Sequence, residues 1–266
     1  MPLSAKDKGL VRLFVAACFH RWDILPELCR AAYRAGATVA EVRGTVRHLI
    51  ICAGYASCLA ATNHLHAAKL LEEDVPGKAG GPPGNAFQLV YTKVTDAVRQ
   101  KLHTVDPVLA EYIRMHLYGD IYSSPEVELR QRQLFMCAFL AEANMHEELF
   151  GHMLAALRFG NDREACRDAV DIAFELKGPT ASNTVYKAAL IVEDQAYKKF
   201  RKDFPDGPPP QPQVQNPDPQ SVRLPPPAPL VNTDVVPAEP SLADELREKG
   251  LLNVEYAWEN LPKPTK

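Results

Sequence analysis

Several common signals are missing from this 266-residue chain. None of the six cysteines (Cys18, Cys29, Cys52, Cys58, Cys137 and Cys166) forms a C-x-x-C pair, so neither a zinc ribbon nor a thioredoxin-like couple is indicated. No apolar run approaches the roughly 18 residues of a spanning helix, which predicts no membrane span. No basic block tracks a phosphate backbone: 30 basic and 33 acidic residues are spread evenly for a net charge of −3, and nucleic acid is not expected as a partner. Phosphate loops, dinucleotide fingerprints and G-x-S-x-G elbows are absent, and neither metal nor cofactor is expected. Strand signals are scarce too, since β-branched residues do not alternate with polar ones. Glycine is sparse at 14 residues, while proline reaches 23. Fifteen of those prolines lie between Pro205 and Pro264, so roughly the first 200 residues read as globular and the remainder does not.

What is present reads as helix. Ser4 and Asp7 cap a buried helix over Leu10 to Phe19. Leu25, Leu28, Ala32 and Ala35 mark a second helix, stopped by Gly36. Thr38 and Glu41 form a capping box for a third, with Val42, Val46, Leu49 and Ile50 on its apolar face and Gly54 at its end. A fourth runs from about Ser57 to Leu71. A Gly/Pro linker occupies residues 73–86. Beyond it, a helix is predicted from about Phe87 to His103, another from the Asp106-Pro107 cap to Gly119, and a third opened by Ser124-Pro125. The class is all-α.

The chain also resembles itself. Leu13-Phe14-Val15-Ala16-Ala17 and Leu134-Phe135-Met136-Cys137-Ala138 form one aligned pair of segments. Each is followed by a Glu-Leu pair, a glycine and a capped helix, with Asn161 and Glu164 as caps in the second copy. Gly36 to Gly54 and Gly160 to Gly178 are both 18 residues apart. The stretches Glu148-Leu-Phe-Gly-His152-Met-Leu-Ala-Ala-Leu157-Arg-Phe-Gly160 and His48-Leu-Ile-Ile-Cys-Ala-Gly54 resemble the carboxymuconolactone decarboxylase family, kin of the alkyl hydroperoxidase D-like proteins. The resemblance implies two tandem decarboxylase-like helical modules, 1–72 and 87–203, and possible pairing between them.

It also implies a site. Glu41 and His48 are seven residues apart and share a helical face, with Cys52 one turn on; His152 holds the family's pre-glycine histidine position. A Glu/His pair in a cleft moves protons at neutral pH, and His152 joins it if the modules face each other. The alternative is that Glu41 only caps its helix and His48 is a satisfied half-buried histidine. In the second copy the aligned positions are Ala165, Ile172 and Leu176, none of which titrates. His64 with His66, and His146 with His152, read from spacing alone as surface pairs.

The C-terminal part divides into a proline-rich extended segment, 204–240, and a short helix with an anchor tail, 241–266. Leu251, Leu252, Tyr256 and Trp258 are its partner-binding candidates. Together these features predict a non-catalytic tandem protein, a structural subunit of a larger protein assembly anchored by its tail. The competing expectation is an active decarboxylase-like lyase using Glu41 and His48. Free cysteines in apolar helices and the lack of a secretory leader suggest a reducing intracellular compartment, mitochondrial or cytoplasmic.

Overall fold

The computed structural model describes residues 2–72 and 85–210. Among the described residues there is no strand, and the fold is all-α. Helix α1 (Ala5–Cys18) is capped by the Ser4 hydroxyl, which accepts from the Asp7 amide. Its Leu10, Leu13, Phe14, Val15 and Ala16 are almost wholly excluded from solvent. That leaves α1 a central rod, contacting α2 (Leu25–Arg34), α3 (Val39–His48) and α4 (Ile50–Ala67) on its own side. On the other side it meets α8 (Leu129–Glu142) and α10 (Arg163–Lys177). Helix α9 (His146–Arg158) packs between α8 and α11 (Asn183–Asp203). One apolar core runs through all of these helices. A smaller aromatic core, built on Phe87, Tyr118 and Tyr122, lies beneath α5 (Ala86–Tyr91).

Local signals hold where they are self-contained. The Thr38–Glu41 capping box is formed in both directions. Gly36 and Gly54 take φ of +94° and +77°, the left-handed region only glycine enters cheaply. Gly54 breaks the helical path inside α4, so the expected fourth helix starts earlier than Ser57. The chain also bends by 118° between α3 and α4.

Four expectations are corrected. The helix expected from Phe87 to His103 is split into α5, a 3₁₀ turn (Thr92–Val94) and α6 (Thr95–Val105). Thr92 turns the chain at φ +50°, where its hydroxyl accepts from Arg158 at 2.6 Å and its carbonyl from the Thr95 hydroxyl at 2.6 Å. Ser124-Pro125 does not open α8, which starts after a Glu128–Gln131 capping box. The Ser124 carbonyl instead accepts from Arg132 at 2.8 Å, and its hydroxyl bonds Glu126. Asn161 does not cap α10; its amide donates to the carbonyls of Arg130 and Ala156, and Asp162 caps instead. The Asp106-Pro107 cap does open α7 (Pro107–Tyr112), which continues as a π-helix (Ile113–Ile121) past the expected stop at Gly119.

Backbone features recur 124 positions apart. Helices α1 and α8 are both 14 residues long. Gly36 and Gly160 have φ of +94° and +87°, Gly54 and Gly178 +77° and +64°, and His20 and Asn144 +57° and +59°. In this register Phe14 corresponds to Ala138, not to Phe135 as the matching Leu-Phe pairs suggest. Residues 73–84 of the expected linker, residues 211–240 of the proline-rich segment and all of 241–266, with Leu251, Leu252, Tyr256 and Trp258, lie outside the described residues.

Candidate functional site

Glu41 and His48 are two helical turns apart on α3, a separation of about 10 Å at 1.5 Å per residue. Their surroundings differ accordingly. Glu41 sits at the first turn, where its carboxylate accepts from the Thr38 amide at 2.8 Å and from Lys6 Nζ at 2.7 Å. Burial raises its pKa, but Lys6 and Thr38 outweigh that and hold it below the ordinary carboxylate range. It is an ionised cap near the positive end of the helix dipole.

His48 closes the same helix and is fully buried. Phe14, Tyr122 and Phe135 surround its ring at centroid distances of 5.6, 5.4 and 5.6 Å. Phe14 and Phe135 stack on each other at 4.9 Å. Into this aromatic nest α8 inserts Arg132, itself 1% exposed. Its Nη1 donates to His48 Nδ1 at 3.2 Å, its Nε to the Val127 carbonyl at 3.1 Å, and its Nη2 to the Ser124 carbonyl. Burial lowers the Arg132 pKa to about 10, so it stays charged at neutral pH. A charged guanidinium has no lone pair, so the bond fixes the imidazole tautomer: Nδ1 accepts and Nε2 carries the hydrogen. Nε2 is buried and has no hydrogen-bond partner. Burial first, then the charges of Arg132 and His152, push the His48 pKa well below its usual value.

His152 is half-buried rather than on the surface, contrary to the reading from its spacing to His146. Its Nδ1 donates to Gln133 Oε1 at 2.8 Å, and burial lowers its pKa to about 4. Gln133 is fully buried and its amide nitrogen lacks a partner. Cys52 packs against Met136, with Sγ 3.5 Å from Sδ, and burial raises its pKa to about 12. It therefore remains a thiol at neutral pH.

The structure thus brings His48, His152 and Cys52 toward α8 and leaves Glu41 outside. His48 has its basic nitrogen occupied by a cation, so it cannot accept a proton from a substrate. Two clefts among the described residues lie elsewhere, one lined by Asp171, Phe174 and Tyr186, the other by α5 to α7 and the π-helix. Among the described residues no group of three or more His, Cys, Asp or Glu is arranged to hold a metal ion. No single helix among them is long and apolar enough to cross a membrane.

Sequence reasoning missed Arg132, Gln133 and Tyr122. One signal was legible: Arg130-Gln-Arg-Gln133 places four polar residues at the start of an apolar helix, more than one exposed face accommodates.

No protein-family model matches this chain. It is 30% identical over 76 residues to Peroxisomal protein 2 of Saccharomyces cerevisiae, a stretch covering 28% of this chain and 27% of that protein. The matched part is therefore about a quarter of the relative's length.

Proposed function

We propose that this chain is a non-catalytic tandem of decarboxylase-like helical modules that serves as a structural subunit of a larger protein assembly. One observation carries the reading. Arg132 occupies the basic nitrogen of His48 inside a sealed aromatic nest, while Glu41 is committed to Lys6 and Thr38. The Glu41/His48 proton shuttle that would make the chain a lyase therefore has neither a base nor a shared cleft.

The tandem part of the reading draws on the 124-residue recurrence of helix length and of left-handed positions. The assembly part draws on exposed apolar side chains: Tyr55 and Leu59 on α4, and Val105, Val108, Leu109 and Tyr112 along α6 and α7. Tyr55 stacks on His116 and meets its Nε2 through the hydroxyl at 2.9 Å, which links the two groups. Clustered exposed apolar surface of this kind marks protein contact sites. Leu251, Leu252, Tyr256 and Trp258 supply further anchors in this reading. Six free cysteines fit a reducing compartment, and the name of the yeast relative favours the peroxisome over the mitochondrion.

Gel filtration of native extract tests the proposal. The full chain should elute in a large complex, and removal of residues 205–266 should release it. Elution of the full chain as a free protein, or turnover of a carboxylated lactone that His48→Ala abolishes without unfolding, would overturn it.

A further inference from the structure

The larger cleft, about 770 Å³, opens between α5, α6, α7 and the π-helix and contains none of Glu41, His48 or His152. Such a volume suits a small organic molecule. Phe87 and Tyr118 lie in its wall edge to face, with ring centroids 4.9 Å apart. Tyr118 is 2% exposed, and its hydroxyl donates to Tyr91 at 3.1 Å, so this wall is rigid. Leu102, Pro107 and Ala110 add apolar surface. The π-helix matters to the shape. Its i→i+5 bonding puts more than four residues in each turn, so residues four apart nearly eclipse. Arg114 and Tyr118 consequently line one side together, continuing from Ala110.

The polar groups around this apolar wall are unevenly supplied. Arg99 lies over Phe87, 6.0 Å from the ring centroid, and donates one bond to Asp96 at 3.1 Å. Asp96 is 92% exposed, so water weakens that pair. Arg114 donates two bonds to Glu111. A guanidinium has five N–H groups, so both arginines keep donors to spare. Gln88, Gln100 and His103 also line the cleft, and among the described residues no hydrogen bond is made by any of their side chains. The two carboxylates in the wall, by contrast, already accept from the arginines. The spare guanidinium N–H groups border a flat aromatic surface.

We propose that this cleft binds an aromatic monocarboxylate. The ring lies against Phe87, Tyr118 and Leu102. The carboxylate displaces Asp96 from Arg99 and takes a second bond from a neighbouring glutamine amide. Arg–carboxylate pairs of this kind are short, directional and strong when partly shielded from water. This site is independent of the subunit reading, since it uses none of the residues that reading rests on.

Isothermal titration of the full chain with 2-naphthoate tests the site, with 2-naphthalenemethanol as the neutral control. Saturable one-to-one binding of the acid is expected, with the alcohol at least tenfold weaker. Arg99→Gln should weaken naphthoate binding about tenfold and leave the alcohol unaffected. Ala110→Trp should fill the cleft and abolish binding of both, with an unchanged circular dichroism spectrum showing that the fold persists. Absence of saturable heat at millimolar naphthoate, equal affinity for acid and alcohol, or full binding by a folded Ala110→Trp variant would overturn the proposal.

Discussion

Two histidines held neutral in the interior make the stability of this protein depend on pH above the carboxylate range. Unfolded, each binds a proton below about pH 6.5. Folded, His152 does so only near pH 4, and His48, buried beside the Arg132 charge, is also held well below its usual value. Between those limits the unfolded chain binds more protons, so stability falls as pH falls. His152 costs about 1.4 kcal/mol per pH unit across that window. From pH 6.5 to 5 the loss is roughly 2 kcal/mol for His152, and His48 adds to it in the same direction. Carboxylates held low by their partners do not mask this, because they respond at lower pH. Asp7 is one: burial raises its pKa, but bonds from Arg130 and Gln131 outweigh that. Urea denaturation followed by circular dichroism at pH 7, 6, 5.5 and 5 reads the slope directly. His152→Gln keeps a polar side chain beside Gln133 and should reduce it. A midpoint that stays constant from pH 7 to pH 5, or a slope unchanged by His152→Gln, would refute the assignment of these rings as neutral interior groups.

The other predictions concern packing and capping. Arg132→Met leaves the carbonyls of Ser124 and Val127 and His48 Nδ1 without their donor, and should cost about 3 kcal/mol or more by urea denaturation. Arg132→Lys should recover only part of this, since an ammonium lacks the planar fork that reaches three acceptors. At Gly44 an added Cβ would sit 2.7 Å from Val127 Cγ2, so Gly44→Ala should lower the unfolding midpoint by the equivalent of about 1–3 kcal/mol despite better helix propensity. Thr38→Ala removes one arm of the α3 capping box and should cost about 1 kcal/mol, measured the same way. Cys137 and Cys166 should escape maleimide labelling in the native protein and react in urea, because both are buried and their thiol pKa values are raised.

Features that depend on a few adjacent residues were legible in the sequence. The Thr38–Glu41 box formed because its donors and acceptors lie within one turn. Gly36, Gly54, Gly160 and Gly178 all adopt positive φ, as stops in a helical chain require. Features that depend on what lies across the fold were not legible. Glu41 and His48 share a face of α3, yet two turns along it one meets Lys6 and the other Arg132. The Leu-Phe match between residues 13–14 and 134–135 misled by three positions, because any two apolar helices share such pairs. Ser124-Pro125 has the composition of a helix start, but Arg132 claims the Ser124 carbonyl and the helix begins later.

By itself, the sequence determined the all-α class and several of the helix caps and stops, since helix periodicity and caps act locally. Tertiary structure decided the chemistry. Whether a histidine is a base depends on which group faces each ring nitrogen, and for His48 that group comes from a helix 84 residues away. Packing α8 against α3 placed a cation on that nitrogen and aromatic rings around it. No spacing within α3 encodes that outcome.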